Sequence, residues 1–210
     1  MAARPRLVVA TRSEHKLREL RELLDLDAEL VSLDDLGVEG DVVEDATTFA
    51  GNAAKKARAA VRATGLPAIA DDSGIEVDAL GGKPGVRTRR YAGEHATDDQ
   101  NNSKLLAALA GLPPERRGAR YVCVLALALP TNAGRAAGLP IVTRRGTLRG
   151  RIATAPKGHG GFGYDPIFEP EGEPPGGRTL AEWSAAAKNE ISHRARAARR
   201  MAPLLRELGF

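Results

Sequence analysis

Arg120-Tyr-Val-Cys-Val-Leu-Ala-Leu-Ala-Leu129 is the stretch on which the architecture turns. After its first residue it is an apolar run, the pattern of a buried strand. Residues 141–152 read as a second long strand. Between them lies only a Gly/Pro/Asn stretch, residues 130–140, with no helix. Two long strands in direct succession break strict βαβ alternation, so the sheet is expected to be mixed rather than purely parallel. Working outward, residues 7–10 predict a short strand. Residues 11–15 predict a polar loop, and 16–24 a helix with Leu17, Leu20, Leu23 and Leu24 on one side. A strand is expected over 30–33 and a helix over 47–63, with Phe49, Ala53, Ala57 and Ala60 sharing a face. Residues 67–70 predict a strand ending in Asp71-Asp72-Ser73-Gly74, and 75–80 a half-buried strand of their own. Residues 98–109 read as a helix, while 81–85 and 172–177 read as loops. Thr179-Leu-Ala-Glu182 matches a capping box that opens a helix. Residues 192–208 predict the last helix, with Ala195, Ala198, Met201, Leu204 and Leu205 inward.

The chain has 210 residues, 42% of them hydrophobic, enough for one sizeable core. The single cysteine, Cys123, lies inside the apolar run and has no second cysteine to pair with, which points to a reducing compartment. No apolar run approaches membrane-spanning length, and the first residues carry no secretion signal, so a cytoplasmic protein is expected. The net charge of +4 attracts polyanions in general and names none.

Four segments could carry chemistry. Thr11-Arg12-Ser13-Glu14-His15-Lys16, between a strand and a helix, offers hydroxyls, backbone N–H groups and a lysine: an anion site, or a plain helix cap. It lacks the glycine spacing of a P-loop. Asp71-Asp72-Ser73-Gly74 puts hard oxygen donors at a strand end. That suits Mg²⁺ or acid–base chemistry, and it also suits an Asp-Ser-Gly turn. Glu44, before the second helix, could add a carboxylate. Gly161-Phe162-Gly163-Tyr164-Asp165-Pro166 gathers two rings in a chain that is 4% aromatic. Glycines beside rings admit a flat ligand, or a tight turn. Lys188-Asn189-Glu190-Ile191-Ser192-His193-Arg194 offers an amine, an imidazole and a guanidinium, as nucleotide contacts or as a basic face.

Taken in order, these segments resemble the inosine/xanthosine triphosphate pyrophosphatase family, which removes aberrant purine nucleotides. The resemblance runs from Val8 to Arg194. It rests on Val8-Val9-Ala10-Thr11 with Lys16-Leu17-Arg18-Glu19-Leu20, on Thr48-Phe49 with Asn52-Ala53 and Lys56-Ala57, and on Pro67 through Gly74. It continues through Gly81-Gly82, Pro84-Gly85, Arg90-Tyr91-Ala92-Gly93, Gly161 through Phe168, and Ser192-His193-Arg194. The resemblance implies one α/β domain over residues 1–210, with a long mixed sheet, flanking helices and two lobes around a nucleotide cleft. It implies cleavage of a nucleoside triphosphate between the α and β phosphates, Mg²⁺ and a homodimer, with no membrane or nucleic-acid partner. By position, Thr11, Arg12, Ser13, Glu14, His15 and Lys16 look like the phosphate loop. Asp72 looks like the proton acceptor and metal carboxylate, with Glu44 as second metal ligand; Asp71 is the other candidate base. Ser73 looks like a substrate contact, Phe162, Gly163, Tyr164 and Asp165 like the base and sugar pocket, and Lys188, His193 and Arg194 like further nucleotide contacts.

This chain departs from the family pattern in three places. Arg12 and Ser13 stand where glycine and asparagine are usual, Gly51 where a glutamate commonly precedes the asparagine, and Glu44-Asp45-Ala46 where Glu-Thr-Gly is usual. Donors from Arg194 or His193 aimed at the six-position carbonyl of hypoxanthine or xanthine would be left unpaired by adenine, at a cost of about 1–3 kcal/mol. Two other readings make different predictions. A pyrophosphatase of other standard or modified nucleotides would differ in a triphosphate panel. A basic nucleic-acid-binding module using Arg149, Arg151 and the C-terminal arginines would bind with steep salt dependence and no turnover.

Overall fold

The computed structural model describes residues 4–131 and 140–210, the side chain of His15 excepted. Most of the stretch predicted to join the two long strands lies outside the described residues. Among the described residues six strands form one mixed sheet in the order β2-β1-β3-β4-β5-β6. They are β1 Arg6–Val9, β2 Glu29–Ser32, β3 Ala68–Val77, β4 Gly118–Ala128, β5 Ile141–Ile152 and β6 Phe168–Pro170. β1 pairs in parallel with β2 and with β3, and β5 pairs antiparallel with β6, which makes the sheet mixed as expected. The helices are α1 Glu14–Leu24, α2 Phe49–Thr64, α3 Asp98–Ala108, α4 Ala185–Ile191 and α5 His193–Glu207.

The chain divides into two compact units. The first comprises Met1–Asp72, Cys123–Gly146 and Arg194–Phe210. Its core gathers Leu7 and Val9 of β1, Leu20 and Leu24 of α1, Ile69, Cys123, Leu125 and Leu127 with Ala197, Ala198, Met201 and Leu205 of α5. The predicted inward faces of α1 and α5 are the faces that are buried. Burial, then the nearby charge of Asp71, pushes the Cys123 thiol up to about 12.

The second unit comprises Ser73–Val122 and Thr147–His193. Ile75, Val77, Leu105, Leu109, Leu148, Ile152, Ile167 and Phe168 form its core. Arg117, 3% exposed, donates to the carbonyls of Leu109, Ile152 and Ala153, tying the end of α3 to the end of β5.

Two expectations need correction. The segments 67–70 and 75–80 are one strand: β3 runs straight through Asp71-Asp72-Ser73-Gly74, and only residues 78–80 curl into a 3₁₀ turn. The capping box at Thr179 is present, but it caps a 3₁₀ turn, Leu180–Glu182, and no α-helix. The helix begins later, where the Ser184 hydroxyl accepts from Ala187 N–H. Ser192 therefore ends α4 rather than standing apart from it.

Candidate active site

In the first unit the carboxylates of β3 meet lysines from two helices. Because β3 is extended, Asp71 and Asp72 project to opposite faces, and each has its own partners. Asp71, 1% exposed, accepts from Lys16 Nζ at 3.0 Å and from Arg194 Nη2 at 3.3 Å. The other guanidinium nitrogen, Nη1, pairs with Glu19 of α1. Burial alone would raise Asp71, but the charges of Lys16, Arg194 and Lys56 outweigh it and hold the carboxyl well below the ordinary range. The same carboxylate raises Arg194 in turn, against its own burial.

Asp72 lies in the opposite condition. Burial first, and the carboxylate of Glu44 next among the raising effects, lift it to about 6, although Lys56 and the amide of Asn52 pull the other way. Lys56 Nζ is 3.1 Å from Glu44 Oε2 and 3.7 Å from Asp72 Oδ1. Asn52 Nδ2 donates to Asp72 Oδ2 at 3.1 Å. Lys56 and Asn52 sit one helical turn apart on α2, so one face of that helix serves both carboxylates. The α2 N-terminus is set by Thr48, whose hydroxyl accepts from Gly51 N–H at 3.0 Å.

Among the described residues no three His, Cys, Asp or Glu side chains form a metal cage. Two facing carboxylates, Asp72 and Glu44, are nevertheless the oxygen donor set that Mg²⁺ takes when it keeps waters and phosphate oxygens as its other ligands. Glu44 adds its charge to the burial that raises Asp72, and the Lys56 ammonium stands beside both carboxylates, where a divalent cation would offset the same charge. The residues fit the ion.

The residues expected to form a phosphate loop divide. Lys16 joins the buried cluster. Ser13 occupies the N-cap of α1 without making a side-chain cap, and its N–H donates to the Thr11 hydroxyl at 3.2 Å. Glu14 is exposed in the first turn, and the His15 side chain lies outside the described residues. Arg12 turns to the segment 34–41. Its guanidinium pairs with Asp34, with Asp41 at 2.9 Å, and with the carbonyls of Val38 at 2.9 Å and Gly40 at 2.7 Å.

In the second unit the centre is Asp165, 3% exposed. One carboxylate oxygen accepts from Tyr121 Oη at 3.1 Å. The other accepts from Lys188 Nζ at 2.7 Å and from Phe162 N–H at 3.1 Å. Lys188 Nζ also lies 4.5 Å from the Phe162 ring centroid, a cation–π contact. His193 stacks on Tyr121 with centroids 4.7 Å apart and planes at 7°. Gly161 has φ +74, and a Cβ there would overlap the Asp165 carboxylate, so the residue must be glycine. Gly163 is held from both sides by α3: its N–H donates to Asp98 at 2.7 Å, and its carbonyl accepts from Asn102 at 3.0 Å. Tyr164 is buried and donates to the Thr88 carbonyl at 2.7 Å. Ser73 lies in β3, half-buried.

The structure thus brings Lys16, Asp71, Asp72, Glu44 and Arg194 into one cluster, and Phe162, Asp165, Lys188 and His193 into another. Sequence reasoning missed Glu19, Asn52, Lys56 and Tyr121 as members. For Asn52 and Lys56 the available signal was their spacing of four on a helix face. Of the arginines invoked for nucleic-acid binding, Arg149 pairs with Asp78 at 3.1 Å and Arg151 with Glu169 at 4.0 Å. No helix among the described residues is long and apolar enough to cross a membrane.

Residues 7–204 match the Ham1 family. A dITP/XTP pyrophosphatase of Frankia alni is 51% identical over 97% of this chain and 98% of its own length. One of Streptomyces coelicolor is 48% identical, with the same coverage of each chain. Among solved structures, a HAM1 protein from Coxiella burnetii superposes with a TM-score of 0.85 at 40% identity, covering 97% of this chain and 99% of that one.

Proposed function

We propose that this chain, which belongs to the Ham1 family, is a nucleoside triphosphate pyrophosphohydrolase that removes noncanonical purine nucleotides such as ITP, dITP and XTP. It cleaves the α–β phosphoanhydride bond to give a monophosphate and pyrophosphate. The observation that carries this reading is the set of two carboxylates and two lysines around β3, because a triphosphate needs its charge neutralised before water can attack phosphorus.

Asp72 and Glu44 would hold a divalent ion, Mg²⁺ in this reading, which supplies charge neutralisation and a polarised water when bound. Lys16 and Lys56 place ammonium groups beside the carboxylates, where phosphate oxygens would replace part of the acidic charge now paired with them. Asp71, ionised under all working conditions, holds Lys16 and Arg194 in place. Phe162 offers a ring face to a base, and Asp165 is fixed by three donors so that Lys188 keeps one position.

The same reading includes a homodimer working in the cytoplasm. It is tested by a panel of triphosphates assayed for pyrophosphate release with and without Mg²⁺. ITP, dITP and XTP are expected to exceed ATP in kcat/KM by at least about 10²-fold, because adenine lacks the six-position carbonyl and would leave buried donors unpaired, and to exceed GTP, which differs from them at the two-position amino group. Equal rates on ATP would remove it.

A further inference from the structure

The segment 44–46 packs directly on the first turn of α2, and Gly51 is the reason that it can. A Cβ built on Gly51 would stand 2.7 Å from Ala46 Cβ and 3.1 Å from Thr48 Oγ1. The next residue, Asn52, is 1% exposed and uses both ends of its amide. Its Nδ2 donates to Asp72 Oδ2 at 3.1 Å, while its Oδ1 accepts from the Ala46 N–H at 2.9 Å. The amide is therefore a rigid span from one carboxylate to the backbone two residues beyond the other. Asn52 carries no charge and has its donor and acceptor committed inside the protein, so its contribution is geometric.

We propose that Asn52 and Gly51 are positioning residues that fix the spacing of Glu44 and Asp72, and through that spacing set the affinity for the divalent ion. This rests on the reading that those two carboxylates hold the ion. Outer-shell partners of metal ligands typically change metal affinity by about 10–100-fold when removed. Gly51 belongs to neither cluster, so in Gly51→Ala the loss should fall on metal binding rather than on turnover at saturating metal; for Asn52→Ala the readout is metal binding itself.

The test measures Mn²⁺ binding to the full, metal-stripped chain by water-proton relaxation, alongside the Mg²⁺ half-saturation of turnover. The variants are Asn52→Ala, Gly51→Ala, Glu44→Gln, Asp72→Asn and the double variant Gly51→Ala/Glu44→Gln. Asn52→Ala and Gly51→Ala are each expected to weaken Mn²⁺ binding at least about 10-fold. In the Glu44→Gln background Gly51→Ala should add less than about 2-fold, because its effect runs through Glu44. Gly51→Ala touches neither carboxylate, so it carries the test even if Asn52→Ala does not fold. Native Mn²⁺ affinity in both Asn52→Ala and Gly51→Ala, with weakened binding in Glu44→Gln and Asp72→Asn, would overturn the proposal alone. Unchanged binding in Glu44→Gln and Asp72→Asn would overturn the metal assignment with it.

Discussion

Asp71 and Asp72 are consecutive residues of one strand, and their carboxyls are displaced in opposite directions from the ordinary value. Asp71 faces two cations that keep it ionised. Asp72 is buried beside Glu44, which lifts it to about 6. Two titratable neighbours pushed apart in this way are suited to different tasks. Asp71 serves as a fixed charge. Asp72 can exchange a proton near neutrality and can take a cation in its place.

The metal-stripped protein should register Asp72 in its stability. The folded-state value lies above the ordinary 3.8, so the native state holds the proton more tightly than the unfolded chain. The cost of ionising Asp72 is therefore absent at pH values below about 4. It grows between about pH 4 and 6 and is fully present above that window. Asp72→Asn should remove the cost and stabilise the chelated protein at pH 7.5 by up to about 3 kcal/mol, with little effect at pH 4. Urea denaturation of both proteins at the two pH values measures the difference. Its absence at pH 7.5 would show that Asp72 is not strained. Turnover of the same variant should fall by at least about 10²-fold.

Arg194 is a second point of attack. It is 1% exposed and pairs with Asp71 and Glu19. Arg194→Met should cost about 3–5 kcal/mol in urea denaturation, because it removes one of the two cations paired with the buried Asp71 and the partner of Glu19. Adding Asp71→Asn should recover much of that loss. If the double variant is no more stable than the single one, the two residues do not act as a pair.

Arg12 gives a contrast with Lys16. Four groups of the segment 34–41 occupy its guanidinium, two of them carboxylates, so it brings little net positive charge to a phosphate. Arg12→Ala should speed proteolytic cleavage within residues 37–41 while changing KM for ITP by less than about 3-fold, as expected of a partly exposed pair. Lys16→Ala should raise KM by at least about 10-fold. A large KM effect from Arg12→Ala would return Arg12 to the substrate.

Much of the framework was legible in the chain. An apolar run gave β4 to within two residues, β5 was expected over the residues that form it, and helical spacing gave α1, α2 and α5. The continuity of β3 was not legible, because Asp-Asp-Ser-Gly has the composition of a turn. The strand lies between β1 and β4 in the sheet, and ion pairs and the Asn52 amide cover its carboxylates. Their donors lie far off in sequence, Arg194 being 123 positions from Asp71 and Asn52 being 20 from Asp72. The same distance hid the role of Arg12, whose partners stand 22 to 29 positions away. Local pattern reports local structure, and buried charge is settled by tertiary partners.

The burial of Cys123 has a practical sequel. The chain has one cysteine and one tryptophan. Cys123, fully buried and with its thiol pushed up to about 12, belongs to the first unit. Trp183, with the Arg178 guanidinium 5.2 Å from its ring, belongs to the second. Alkylation kinetics and indole fluorescence therefore provide two native reporters, one in each half of the molecule. Unlabelled protein can be followed through denaturation to learn whether the halves melt together.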